Sequence, residues 1–127
     1  MKHNTYKIEL CLYAFLEVGT YGLHQIEISA QSTAYRFKYQ PGEFWSSCLH
    51  SDVSVITKKG IKIERRIDPF KAPNRFRSNY KRFSLPNRAE AIKALKILNK
   101  YRVDREEEFL SCDVAAMLLT QFPEQRS

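Results

Sequence analysis

The stretch LHSDVSVITKKGIKIERRI, residues 49–67, changes its hydrophobic period halfway along. Leu49, Val53 and Ile56 recur at helical spacing, which leaves His50, Ser51, Ser54 and Lys58 on the opposite side. Extended back to Phe44, the same helix draws Trp45 inward and places Ser47 outward, so a helix is expected over 44–59. Gly60 after Lys58 and Lys59 has the composition of a helix C-terminus. Beyond it Ile61, Ile63 and Ile67 alternate with Lys62, Glu64 and Arg66, which is the period of a strand. A second short strand is expected at Lys81 to Leu85, with Phe83 and Leu85 inward. Between the two lies a polar loop bearing Lys71, Arg75 and Arg77, with Pro69 and Pro73. Two short strands joined this way form a hairpin.

Upstream, Tyr6 to Val18 reads as a helix with Ile8, Leu12 and Phe15 on one face and Cys11 beside them. Tyr6, Leu10 and Tyr13 form a second apolar stripe opposite. A helix apolar on two faces lies between two layers or at a subunit contact. Leu23 to Ser32 reads as a weaker helix, with a strand in competition because Ile26 and Ile28 are β-branched. In Thr33 to Phe44, Tyr35, Phe37 and Tyr39 alternate with Arg36 and Lys38 until Pro41-Gly42 breaks the pattern. Downstream, Pro86-Asn87 opens a helix to Tyr101, with Asn87 as cap and Glu90 three residues on. Ile92, Leu95 and Leu98 form its apolar side and Lys93, Lys96 and Lys100 its cationic one. A last helix is expected from Asp104 to Phe122, with Glu106, Glu107 and Glu108 in its first turn.

Charge is unevenly spread. Residues 58–105 hold sixteen of the 21 Lys and Arg residues and four acids, about +12, while the rest holds five basic residues and ten acidic ones, about −5. Such polarity presents one face to a polyanion, most commonly a nucleic-acid backbone. A chain of 127 residues with 43% hydrophobic content is expected to fold as one domain around one core. Cys11, Cys48 and Cys112 are an odd number far apart, and reduced core thiols are expected. No apolar run reaches the roughly 18 residues of a membrane span, and the N-terminal residues lack a signal peptide's apolar stretch. A cytoplasmic protein is the expectation.

The order helix, helix, helix, strand, basic loop, strand resembles that of a winged helix-turn-helix. Residues 8 to 85 resemble the small winged helix-turn-helix domains found in phage and prophage genomes. Three pieces carry the resemblance: Leu12-Tyr-Ala-Phe-Leu with Gly22-Leu23, then Leu49 to Gly60 with Ile61-Lys-Ile-Glu, then Lys81-Arg-Phe-Ser-Leu. Thr33 to Phe44 departs from the pattern as an insertion, and residues 86–127 lie outside it. The expected fold is therefore α+β, mostly α. It comprises a winged helix-turn-helix (1–85; three helices and a two-stranded wing) and two further C-terminal helices (86–127) that pack on it or make a dimer contact. The resemblance implies a DNA-binding transcriptional regulator or recombination accessory factor of a phage or mobile element.

On this reading the protein is not an enzyme and needs no cofactor, and its partner is double-stranded DNA. Ser47, His50, Ser51, Ser54 and Lys58 form the recognition-helix face, because an α-helix fits the major groove. Arg65, Arg66, Lys71, Arg75, Arg77, Lys81 and Arg82 form the wing and its flanks, neutralising phosphates. Arg65 and Arg66 have a competing use in pairing with Glu64 and Asp68. Lys93, Lys96 and Lys100 read first as a solubilising face. A homodimer is expected through Tyr6, Leu10, Tyr13, Leu110, Val114 and Leu118. Tyr35, Phe37 and Tyr39 read as a half-buried strand in preference to a base-stacking platform, and Trp45 reads as core. No metal site is expected, since Cys48 and His50 diverge on a helix and His24 is remote. The alternative is a protein-interaction module or inhibitor of a mobile element built on the same scaffold. A nuclease-like set of Asp52, Glu64 and Lys62 stands third.

Overall fold

The computed structural model describes residues 2–68 and 80–124, with side chains from Tyr6 onward. Helix α1 (Lys2–Val18) is the centre of the molecule. Leu12, Tyr13, Ala14, Phe15 and Leu16 are all buried, because elements from both ends of the chain pack around them. The two-faced apolar pattern thus belongs to a helix sandwiched within its own chain.

No α-helix forms between Leu23 and Ser32, only a single 3-10 turn at Gln31–Thr33, which corrects the expected second helix. Gly22 adopts φ +85°, and a Cβ there would collide with the carbonyl of Phe83. That close approach lets Leu23–His24 (β1) pair antiparallel with a later strand. The His24 ring then accepts from the Ile26 amide at 3.0 Å and turns the chain out of the sheet. Tyr35–Arg36 (β2) and Glu43–Phe44 (β3) close a hairpin. Its turn is anchored to α1 by the buried Glu17 carboxylate, which accepts from the Lys38 amide at 2.7 Å, the Tyr39 amide at 3.1 Å and the Tyr35 hydroxyl at 3.0 Å.

Because Phe44 is taken into β3, helix α2 begins only at Leu49 and runs to Thr57. Trp45 and Ser47 therefore precede the helix, and Trp45 is 41% exposed, so it is not core. Within α2 the inner face is as expected, with Leu49, Val53 and Ile56 buried. Gly60 closes the C-terminal turn at φ +94°.

Glu64–Ile67 (β4) and Lys81–Ser84 (β5) complete a three-stranded antiparallel sheet in the order β1-β5-β4. Ile61 and Ile63 are buried ahead of β4, but Ile67 is 61% exposed rather than inward. The central strand β5 buries both of its faces, Arg82 and Ser84 as well as Phe83.

Helix α3 (Arg88–Asp104) starts as expected, the Asn87 side chain accepting from the Glu90 amide at 3.0 Å. Its Ala91, Ala94 and Leu98 share one core with α1. It continues past Tyr101 and ends on Glu106, a non-glycine residue at φ +65°. Glu106, Glu107 and Glu108 consequently lie in a connection and not in a helical first turn. The last helix is the shorter α4 (Cys112–Thr120), capped by Ser111. Among the described residues the fold is α+β with four α-helices and small antiparallel sheets, one helix fewer than expected. Among the described residues no helix is long and apolar enough to cross a membrane.

Candidate nucleic-acid interface

Alternation along the sheet decides which cations share a surface. Leu23 pairs with Phe83, Arg65 also pairs with Phe83, and Ile67 pairs with Lys81. Side chains of Leu23, Gln25, Phe83, Lys81 and Arg65 therefore project to one face, and those of His24, Arg82 and Arg66 to the other.

The first of these faces looks onto α2. Between them runs a groove of about 620 Å³ with Val53 and Phe83 at its base. His50, Ser54 and Thr57 form its helical wall, and Arg65, Lys81, Tyr80 and Gln25 form its sheet wall. Gln25 extends the β1–β5 pairing, donating its amide to the Lys81 carbonyl at 3.0 Å and accepting the Lys81 amide on Oε1 at 3.1 Å. The Arg65 guanidinium stands over the Phe83 ring, 5.9 Å from its centroid, which holds the charge at the groove while its donors stay exposed.

Of the expected recognition residues, His50 and Ser54 line this groove. Ser51 on α2 and Lys58 just past its end are exposed outside the groove lining, and Ser51 Oγ lies 3.0 Å from Cys48 Sγ. Ser47 is not on α2 at all, and borders a separate depression with Tyr6, Leu10 and Trp45.

Of the expected wing residues, Arg65 and Lys81 line the groove, while Arg66 lies on the far face and donates to the Tyr21 carbonyl at 3.0 Å. Arg82 is a correction. It is 5% exposed, donates to Asp68 at 2.7 Å and to Glu27 at 3.3 Å, and stacks 4.3 Å from the Tyr21 ring centroid. Burial works against its charge, but the Asp68 hydrogen bond and the Glu27 carboxylate outweigh it and raise its pKa further. The same hydrogen bond holds the Asp68 carboxyl below its ordinary value. Arg82 is thus a structural tie between β5 and the loops around it. Lys71, Arg75 and Arg77 lie outside the described residues. The two ends of their segment meet beside the groove, where the Asp68 amide donates to the Tyr80 carbonyl at 2.7 Å.

Other expectations divide similarly. Tyr13 and Leu118 of the expected dimer contact are buried in their own chain, while Tyr6 is exposed and Leu10, Leu110 and Val114 are half-buried. Of the aromatic stretch, Tyr35 and Phe37 are half-buried, Phe37 edge-on to Tyr13 at 4.8 Å, whereas Tyr39 is exposed beyond the end of β2. Burial and the Glu17 carboxylate push up the Tyr13 and Tyr35 hydroxyl pKa values. Lys93 pairs with Glu90 at 3.1 Å, whereas Lys96 and Lys100 border another surface. Cys11 alone is a core thiol, and burial pushes its pKa well up; Cys48 is half-buried and Cys112 exposed. Cys48 and His50 do not diverge, since Cys48 precedes the helix and its Sγ lies 3.6 Å from the His50 Nε2. Among the described residues no three His, Cys, Asp or Glu side chains are placed to hold a metal. Asp52 is buried and paired with Lys7 at 3.5 Å, while Glu64 and Lys62 are exposed.

Gln25, Thr57 and Tyr80 are groove residues that the sequence reading missed. Gln25 was hidden by the expected helix over 23–32, although the competing strand period there would have put it beside Leu23. Comparison with models of protein families, with curated proteins and with solved structures returned no match for this chain.

Proposed function

We propose that the protein binds double-stranded DNA, with one sugar-phosphate strand seated in the groove between α2 and the β4–β5 ribbon. The observation that carries this reading is the juxtaposition of His50 and Ser54 on one wall with Arg65 and Lys81 on the other. A duplex offers a matching shape, because each phosphate ridge stands between a major and a minor groove. With the ridge in the protein's groove, α2 lies on the major-groove side, where His50 and Ser54 meet base edges. The ribbon lies across the backbone, where Arg65 and Lys81 neutralise phosphates and Gln25 supplies a neutral donor. The two-walled arrangement of helix and ribbon is also what supports the finer winged-helix reading, with the β2–β3 hairpin in place of a second helix. A regulatory or recombination-accessory role for a mobile element follows from that likeness.

Binding to random duplex DNA across a salt series tests the proposal. Affinity should fall steeply with salt, and selection from a random duplex library should yield a preferred site. Absent or salt-independent binding would overturn it and favour a protein partner.

A further inference from the structure

Helix α2 has two flanks, and the groove occupies only one of them. At about 100° per residue Asp52 lies opposite the stripe of His50, Ser54 and Thr57, and it reaches back to Lys7 of α1 at 3.5 Å. Lys59, two turns beyond Asp52, falls on the same side as Asp52. There the turn that ends α2 meets α3. The Lys59 ammonium stands over the Tyr101 ring, 5.4 Å from its centroid, and Lys93 donates to the Gly60 carbonyl at 3.5 Å.

These contacts gather lysines from distant parts of the chain. Lys58 and Lys59 close α2, and Lys93 and Lys100 follow one side of α3, about 10.5 Å apart along its axis. Lys58, Lys59 and Lys100 are exposed, and none of them has an ion pair among the described residues. The acid of this junction, Glu90, is 8% exposed and already engaged, accepting the Lys62 amide at 2.7 Å and pairing with Lys93 at 3.1 Å. Asp104, the last residue of α3, is that helix's only other acid. A face kept only for solubility intersperses both signs, and this one gathers a single sign.

The width of a duplex decides what this flank meets. The major groove is about 12 Å wide, and an α-helix with its side chains is about 10–12 Å across. A helix seated there has a phosphate ridge against each flank. One ridge is the strand already seated between α2 and the ribbon. We propose that the second ridge, the backbone of the complementary strand, is held by Lys58, Lys59 and Lys100. The inference rests on the duplex reading above and adds the other strand to it. Ammonium groups on flexible stems act as point charges, so this contact positions α2 in the major groove and carries no sequence information.

Ethylation interference on a duplex selected for binding tests this, because it maps phosphate contacts strand by strand. The parent should show two clusters, one on each strand, on the two sides of one major groove. Lys58→Ala/Lys59→Ala/Lys100→Ala should lose the second cluster alone and flatten the salt slope by about 2–3. Arg65→Ala/Lys81→Ala should lose the first cluster alone. All three lysines are exposed, so their replacement does not open the core. Neutral methylphosphonates in place of the second cluster's phosphates leave the protein untouched. They should weaken binding by the parent and leave the affinity of the triple lysine variant unchanged. Interference confined to one strand would overturn the inference and leave the groove reading standing. Methylphosphonates that weaken parent and triple variant alike would do the same. A parent that binds no duplex would remove the groove reading and this inference together.

Discussion

Arg65 and Arg82 sit on paired neighbouring strands and have opposite surroundings. Arg65 is exposed over an aromatic ring, whereas Arg82 is buried among Asp68, Glu27 and Tyr21. Arg82→Ala strands two carboxylates and opens a void behind Tyr21. We expect it to cost about 2 kcal/mol, well below the cost for a fully buried pair because both carboxylates are partly solvated. Arg65→Ala should leave stability within about 0.5 kcal/mol of the parent and weaken duplex binding instead. Urea unfolding of the two variants separates them, and equal destabilisation would refute the assignment. Glu106 invites the opposite change. Its φ of +65° is a conformation in which a Cβ is strained, at a position after a helix that glycine usually fills. Glu106→Gly should raise stability by about 0.5–1 kcal/mol in the same assay.

Between elements, Glu90 does what no surface contact does. It is 8% exposed on α3 and its carboxylate accepts the Lys62 amide at 2.7 Å, tying the helix to the segment that leads into β4. Burial alone would raise its pKa, but the Lys62 amide and Lys93 reverse the shift and lower it. A carboxyl lowered on folding stabilises the protein above its unfolded pKa, and that contribution is lost as pH falls through the folded value. The stability gap between the parent and Glu90→Gln should therefore be fully present near neutrality and shrink below about pH 4.5. A gap independent of pH in urea titrations would show that the carboxylate charge is not what holds the two elements.

The same elements show what was readable in the residues. The inner faces of α1 and α2 and the Asn87 cap follow from local period and chemistry, and they were legible. The helix expected over 23–32 was not available, because the chain there is recruited by β5, a partner some 60 residues away, through the bare backbone of Gly22. Arg82 looked like one more basic residue of a cationic hairpin. Its burial depends on β5 being the middle strand, which only the pairing with β1 reveals. The groove was half legible for the same reason, since His50, Ser54, Arg65 and Lys81 have local signals and Gln25 falls into place only if the strand period is chosen over the helical one at 23–25, a choice that β5 decides.

At the scale of the whole molecule, charge and shape make separable demands on DNA. On the proposed seating of a duplex, Arg65 and Lys81 of the groove act through phosphates, and each phosphate contact contributes about 0.9 to the slope of log affinity against log salt, whatever the sequence. Base edges contribute to preference and little to that slope. The two walls of the groove should divide along this line. Arg65→Ala/Lys81→Ala should flatten the salt slope by about 2 and weaken all duplexes alike, leaving the selected site unchanged. His50→Ala/Ser54→Ala should keep the slope and relax preference at one or two base pairs, by about 1–3 kcal/mol of discrimination. Fluorescence anisotropy on the selected duplex and a scrambled one, at four salt concentrations, measures both quantities for each variant. If the two double variants changed slope and preference by the same proportions, the walls would have no separate roles. The groove would then be a single electrostatic patch in which α2 reads nothing.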